Sequence, residues 1–189
     1  IPFNDVQALE EELQKGDVCA VIFEPIQGVG GLDMPEDDFV LKMEQLCQQY
    51  DTALIADEVQ SGFSRSGTFF AFQNNNIKPH VITMAKGMGD GFPIGGILVH
   101  PDVKPKYGML GTTFGGNHLA CCASLAVLEI IKKDMLQQHA KEMETYFRSK
   151  AEKIKGAKIK GRGLMLGLEF EFEVGPLRKR LIYEKHIFT

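Results

Sequence analysis

Three polar side chains that could do chemistry each follow a short apolar run of the sequence. They are Glu24, Asp57 and Lys86. If the apolar runs are buried strands of one parallel sheet, these side chains lie at the carboxyl ends of the strands, where ligands bind in α/β folds. The sequence therefore predicts two carboxylates and one amine near a candidate binding crevice.

The lysine stands in a glycine-rich turn, Met84–Gly91, whose backbone could pass close to a bound ring. The turn is not a phosphate P-loop, because no GxxxxGK[ST] pattern is present. A lysine and a carboxylate in one crevice suit pyridoxal 5′-phosphate (PLP), since the amine condenses with its aldehyde and the carboxylate keeps its pyridine nitrogen protonated. From spacing alone, ordinary solvated side chains at strand ends are the more common explanation.

Apolar patterning predicts the elements that position these residues. The predicted strands are Cys19–Phe23, Ala53–Ala56, Val81–Met84, Gly96–Val99 and Leu164–Phe172. The predicted helices lie at 5–15, around 39–47, after Asn117 as N-cap, at about 134–155, and at 177–184. Strand, helix and strand in succession favour an α/β fold with a largely parallel sheet, whose first strand would be buried on both faces.

Charge and composition argue against several classes of partner. The net charge of -4 disfavours nucleic acid and anionic membrane surfaces. No apolar run approaches the roughly 20 residues of a membrane span, and no signal peptide is evident. We expect no metal site, because the cysteines form no CxxC pair and lie near no histidine at zinc-ligand spacing; buried, reduced thiols of a cytoplasmic protein are the simpler interpretation. The cysteines are Cys19, Cys47, Cys121 and Cys122.

Five blocks of the sequence resemble the class III aminotransferases, PLP enzymes of the ornithine or acylornithine type. The blocks are Phe23–Gly28, Ile55–Gly62, Ala85–Gly89, Gly91–Gly96 and Gly111–Asn117. They occur in the family's order and cover essentially the whole chain. The resemblance implies the type I PLP-transferase fold (aspartate aminotransferase-like). On that basis 1–133 is the later part of the PLP-binding large domain, and 134–189 is a linking helix and the beginning of a small C-terminal domain.

The resemblance also implies roles for single residues around the cofactor. Lys86 would hold PLP as a Schiff base and, once released, would move the proton during the reaction. Asp57 would pair with the pyridinium nitrogen. Val59 would pack on one face of the ring, and Gln60 would hydrogen-bond near the phenolic oxygen.

Further roles follow from the same resemblance. Thr112 and Thr113 would reach the PLP phosphate of the neighbouring subunit, so that a homodimer shares its active sites. Glu24 would orient Gln60 or its neighbours without touching the cofactor. Arg65 fits the family's G-x-x-R-[ST]-G segment and is interpreted as structural.

The resemblance exposes differences as well. The family's phosphate-binding glycine- and serine-rich turn, its ring-stacking aromatic residue and its carboxylate-binding arginine have no counterpart in these 189 residues. We therefore expect the chain to be the central and later part of a protein about twice as long. Val29 stands where many family members carry a glutamate that gates an arginine.

The expected activity is transfer of the terminal amino group of N-acetyl- or N-succinyl-ornithine to 2-oxoglutarate, in arginine biosynthesis. One alternative is another class III enzyme, such as an ornithine or 4-aminobutyrate aminotransferase or an aminomutase. The other is an inactive fragment or a non-catalytic paralogue, and the isolated 189 residues are themselves expected to be inactive.

Overall fold

Short runs of apolar residues form the strands of a four-stranded sheet, as patterning predicts. The structure is a computed structural model that describes residues 1–104 and 106–188. The strands are β1 (Ala20–Phe23), β2 (Ala53–Asp57), β3 (Val81–Met84) and β4 (Gly96–Val99), with β5 (Lys158–Arg162) and β6 (Met165–Glu169) in a separate hairpin. The helices are α1 (Val6–Leu13), α2 (Asp37–Gln49), α3 (His118–Lys133), α4 (Leu136–Ala151) and α5 (Gly175–Lys185).

Strand order in the larger sheet follows chain order, β1-β2-β3-β4. The first three strands are parallel, and Asp57 at the end of β2 lies level with Thr83 of β3. Strand β4 runs antiparallel to β3, with Gly96 level with Met84. The carboxyl ends of three strands and the beginning of the fourth therefore share one edge, and the prediction of an α/β fold with a largely parallel sheet is confirmed.

The apolar core lies between helices α1 and α2 and one face of this sheet. Buried side chains of α2, among them Val40 and Leu46, pack in one cluster with Leu54 of β2. The opposite face is open, and Ile22 of β1 is 61% exposed. The prediction that the first strand is buried on both faces is therefore wrong, because the described helices cover only one face.

The cysteines differ in whether they are buried in the core or exposed. Cys47 of α2 is buried, and burial together with the nearby negative charge of Glu44 raises the pKa of its thiol to about 11. Cys19, Cys121 and Cys122 are exposed, so the prediction of buried thiols is correct only for Cys47. All four are free.

The later part of the chain contains one element that patterning missed. The side chain of Asn117 caps α3 by accepting a hydrogen bond from the Ala120 N–H at 3.0 Å, which confirms the predicted N-cap. Strand β5 was missed because its sequence, Lys-Ile-Lys-Gly-Arg, is mostly charged. It pairs antiparallel with β6, which is shorter than the predicted Leu164–Phe172.

Candidate functional site

The three candidate chemical side chains lie at the same edge of the sheet. Glu24 directly follows β1, Asp57 ends β2, and Lys86 lies two residues beyond β3. Parallel pairing of these strands accounts for the arrangement, because strands that run the same way end on the same side.

The edge contains two separate clefts, each of about 400 Å³. Glu24 and Asp57 line the first. Lys86 lines the second, together with Arg65 and Asp90. The predicted carboxylates thus line one cleft, and Lys86 lines another cleft on the same edge of the sheet.

Lys86 has an unusual backbone for a lysine. Its φ angle is 44°, in the left-handed region that favours glycine, and it opens a short 3-10 turn closed by a hydrogen bond from the Gly89 N–H to its carbonyl. Such a conformation costs a side-chain-bearing residue roughly 1–2 kcal/mol. Its side chain is exposed, and the Nζ atom has no hydrogen-bond or ion-pair partner within the described residues.

Asp57 is held by its own turn. Its Oδ1 atom accepts a hydrogen bond from the Val59 N–H at 3.0 Å, which leaves Oδ2 available. Thr83, level with Asp57 on the neighbouring strand, has a buried hydroxyl without a hydrogen-bond partner in the part of the chain that the structure describes. Because register partners point to the same face of a sheet, the orphan hydroxyl faces the same side as Asp57.

Glu24 acts on the loop that follows β1. Its Oε2 atom accepts a hydrogen bond from the Gly28 N–H at 2.9 Å. A methyl group on Gly28 would overlap the side-chain amide of Gln60, so the glycine leaves room for that amide. Glu24 therefore reaches Gln60 through Gly28. The neighbouring Val29 is 99% exposed at the tip of the loop.

Glu58 is a candidate that sequence reasoning missed. It is 1% exposed, although it is a carboxylate adjacent to Asp57. Its oxygens accept hydrogen bonds from the Ser61 hydroxyl at 2.7 Å and from the Phe72 N–H at 2.8 Å. The sequence does contain a signal for Glu58, because it is a second acid directly after a buried strand, whereas the proposed cofactor contact needs only Asp57.

Arg65 is fixed from the far end of the chain. The Leu164 N–H, in the turn of the β5–β6 hairpin, donates to the Arg65 carbonyl at 2.8 Å. The adjacent Gly163 lies so close to Arg65 and Ser66 that no side chain would fit there. Glu144 of α4 accepts a hydrogen bond from the Gly163 N–H at 2.7 Å. The backbone of Arg65 is therefore structural, and Arg65 is also one of the residues that line the Lys86 cleft.

Thr112 and Thr113 line neither of the two clefts. Both are exposed in the segment between β4 and α3. Within residues 1–104 and 106–188, neither is hydrogen-bonded to Lys86 or Asp57.

Neither a cluster of metal ligands nor a membrane-spanning helix occurs among the described residues. No group of three or more His, Cys, Asp or Glu side chains among them is placed to hold a metal ion. No helix in that part of the chain is long and apolar enough to cross a membrane.

Comparison with known proteins gives a consistent result. Residues 2–184 match the family described as Aminotransferase class-III. The chain is 44% identical over 172 residues to an acetylornithine aminotransferase of Aquifex aeolicus (strain VF5), covering 90% of this chain and 45% of that protein. The chain therefore spans about half the length of the curated relatives it matches.

Solved structures show the same likeness in three dimensions. The ornithine aminotransferase from Toxoplasma gondii ME49 superimposes with a TM-score of 0.92 at 32% identity, over 100% of this chain and 47% of that one. The acetylornithine aminotransferase from Elizabethkingia anophelis gives a TM-score of 0.87 at 30% identity, over 100% of this chain and 50% of that one.

The buried Glu58 predicts a pH-dependent stability. Burial raises the pKa of its carboxyl above the ordinary value of 4.5, and the charge of Asp57 adds to the effect, although hydrogen bonds from Ser61 and from the Ala71 and Phe72 N–H groups oppose it. A raised folded-state pKa means that the stabilisation is complete below the unfolded pKa and is lost as pH rises through the folded pKa.

Wild type should therefore lose stability relative to Glu58→Gln as pH rises above about 4.5, because glutamine does not titrate. Urea unfolding of both proteins from about pH 4 to about pH 7 measures the difference. A difference in unfolding free energy that stays constant with pH would contradict the assignment.

Proposed function

Because the chain belongs to the Aminotransferase class-III family, we propose that its protein transfers the terminal amino group of N-acetyl- or N-succinyl-ornithine to 2-oxoglutarate, with PLP as cofactor. The observation that carries the proposal is the carboxylate and the lysine at the ends of two adjacent parallel strands. The acetylornithine aminotransferase of Aquifex aeolicus, at 44% identity, supports the acylated substrate.

The residues present fit PLP, which is a general property of the family. Lys86 Nζ has no competing partner among the described residues, and Asp57 has an available carboxylate oxygen. The buried Thr83 hydroxyl, level with Asp57, lacks a partner that a bound group could supply. An unsatisfied buried hydroxyl costs about 1–3 kcal/mol, so a ligand that satisfies it gains that much in return.

Four side chains of this chain would hold the cofactor. Lys86 would bind its aldehyde covalently, and the Asp57 carboxylate would accept a hydrogen bond from its ring nitrogen. Val59 would pack on one face of the ring, and Gln60 would hydrogen-bond near its phenolic oxygen. When bound, PLP supplies an electron sink for the carbanion formed at the substrate.

Lys86 would also transfer the proton in the proposed reaction. Once the substrate amine has displaced it from the cofactor, its Nζ would carry a proton between the substrate carbon that bears the reacting amino group and C4′ of the cofactor. The short glycine-rich turn around Lys86 supports this assignment, because the hydrogen bond from the Gly89 N–H fixes the backbone while the side chain stays exposed.

A second subunit would complete the site. We propose a homodimer in which Thr112 and Thr113 reach the PLP phosphate held by the partner. Their exposure, and the lack of a hydrogen bond to Lys86 among the described residues, support this arrangement. Glu24 would then act through Gly28 on Gln60, supported by its 2.9 Å hydrogen bond.

The remaining proposals concern organisation and location. We propose that 1–133 belongs to the large domain and 134–189 to the linking helix and small domain. The exposed sheet face around Ile22 supports the view that these 189 residues alone are inactive. The four free cysteines support a cytoplasmic location, where thiols stay reduced.

A second candidate substrate is free ornithine. It is favoured by the Toxoplasma gondii ornithine aminotransferase, whose structure gives a TM-score of 0.92 with this chain.

Replacing the lysine should abolish the covalent bond to the cofactor. In the full-length protein, Lys86→Ala should lose the PLP adduct that borohydride fixes, because no amine remains at that position. Mass spectrometry of the reduced protein detects the adduct. Lys78→Ala, which removes an exposed lysine near the other end of β3, is the matched control and should keep it. An adduct retained in Lys86→Ala would rule out Lys86.

Replacing the carboxylate should spare the adduct but slow turnover. Asp57→Asn can still accept the hydrogen bond from the Val59 N–H, yet it removes the charge that keeps the ring nitrogen protonated. Turnover should fall about a hundredfold or more, as measured by glutamate formation. Asp51→Asn, in the turn before β2, is the control, because asparagine tolerates its left-handed backbone. Turnover near wild type in Asp57→Asn would mean that another group protonates the ring.

The substrate is tested directly with the full-length protein. Acetyl- or succinyl-ornithine with 2-oxoglutarate should yield glutamate faster than ornithine or 4-aminobutyrate does, as measured by chromatography. The acylornithine assignment fails if only the unacylated amines react.

A further inference from the structure

Glu58 is a buried carboxylate with an unusual set of partners. Its two oxygens accept hydrogen bonds from the Ser61 hydroxyl and from the Phe72 N–H. In the part of the chain that the structure describes, it forms no ion pair with a lysine, arginine or histidine. It is therefore an acid buried among neutral donors.

Burying such a group lowers the stability of the folded protein unless its hydrogen bonds offset the loss of hydration. Burying a carboxylate without a counter-charge costs more than burying an apolar side chain of similar volume. Phe72, whose N–H binds Glu58, stacks its ring on that of Phe70 in the apolar core with centroids 5.7 Å apart, so an apolar residue would suit the surroundings. The acid is therefore better explained by the groups that it holds through hydrogen bonds than by packing.

Backbone and side-chain hydrogen bonds of Glu58 together hold the turn that follows β2. The Glu58 N–H donates to the Thr83 carbonyl at 3.0 Å, and its own carbonyl accepts the Gly62 N–H at 3.0 Å. The side chain adds Ser61, inside the turn, and Phe72, in a segment 14 residues further on. Glu58 thus ties the turn to β3, closes hydrogen bonds within the turn, and ties it to the short 3-10 helix Ala71–Asn75.

Asp57 depends on this anchoring because it is the preceding residue. Its Oδ1 atom already accepts the Val59 N–H within the same turn, so movement of the turn would rotate the carboxylate. Gln60 lies in the turn too, against Gly28. The orientation of three residues that would face the cofactor is therefore tied to one buried side chain.

We propose that Glu58 is a positioning residue, which fixes the turn 57–62 against Phe72 so that Asp57, Val59 and Gln60 face PLP. The proposal rests on the proposed function. Glu58 itself does not touch the cofactor in this arrangement.

Two variants of nearly equal size separate hydrogen bonding from packing. Glu58→Gln can accept the Phe72 N–H through its carbonyl and donate to the Ser61 hydroxyl. Glu58→Met fills the same volume with no such bonds. Both are made in the full-length protein, from which PLP is removed and then titrated back.

Glutamine at position 58 should preserve PLP binding, whereas methionine should weaken it. We expect the PLP dissociation constant of Glu58→Gln to stay within about threefold of wild type, and that of Glu58→Met to rise about tenfold or more. Equal dissociation constants for the two variants would overturn the proposal, because packing alone would then explain the residue.

Hydrogen exchange of the cofactor-free protein gives a readout that does not depend on PLP. The Val59 and Phe72 amides should exchange faster in Glu58→Met than in wild type and stay protected in Glu58→Gln. Unchanged protection in Glu58→Met would overturn the proposal even if PLP binds. If wild-type protein takes up no PLP, the proposed function fails, whereas the exchange rates still decide whether Glu58 fixes the turn.

Discussion

Three strands that pair in parallel must end on the same side of their sheet, and in this protein that constraint determines where the candidate chemistry lies. Glu24, Asp57 and Lys86 are 33 and 29 residues apart along the chain, yet each is next to the end of a strand. The antiparallel β4 begins at the same edge and returns the turn after Lys86 to it. The lysine and the carboxylates therefore share an edge whatever the intervening loops do.

Parallel pairing of the strands sets where the candidate residues lie. Side-chain hydrogen bonds from buried or close-packed residues set how those residues are oriented. Glu58 links the turn after β2 to Phe72, and Glu24 links the loop after β1 to the position of Gln60 through Gly28. The β5–β6 hairpin reaches the same region from the far end of the chain, through Gly163. Segments remote in sequence thus converge on a few residues near the proposed cofactor.

Apolar runs and glycine-rich turns were enough to predict the four strands of the sheet, and the blocks around Lys86 identified the family. Strand β5 was not predictable from patterning because its alternate residues are charged, and Lys160 forms ion pairs with Asp33, which is remote in sequence, and with Glu169 of the paired strand β6. The burial of Glu58 was missed for a similar reason. Its partners include Phe72, and nothing in the local sequence shows that the two segments meet.

The left-handed backbone at Lys86 sets conformational stability against the proposed chemistry at one residue. Glycine would relieve the strain there, by roughly 1–2 kcal/mol, but it would remove the amine. Screening for thermal tolerance without selection for turnover should therefore drift away from lysine at this position. If the proposed role is correct, stabilising substitutions belong at the exposed positions of the helices and not at Lys86.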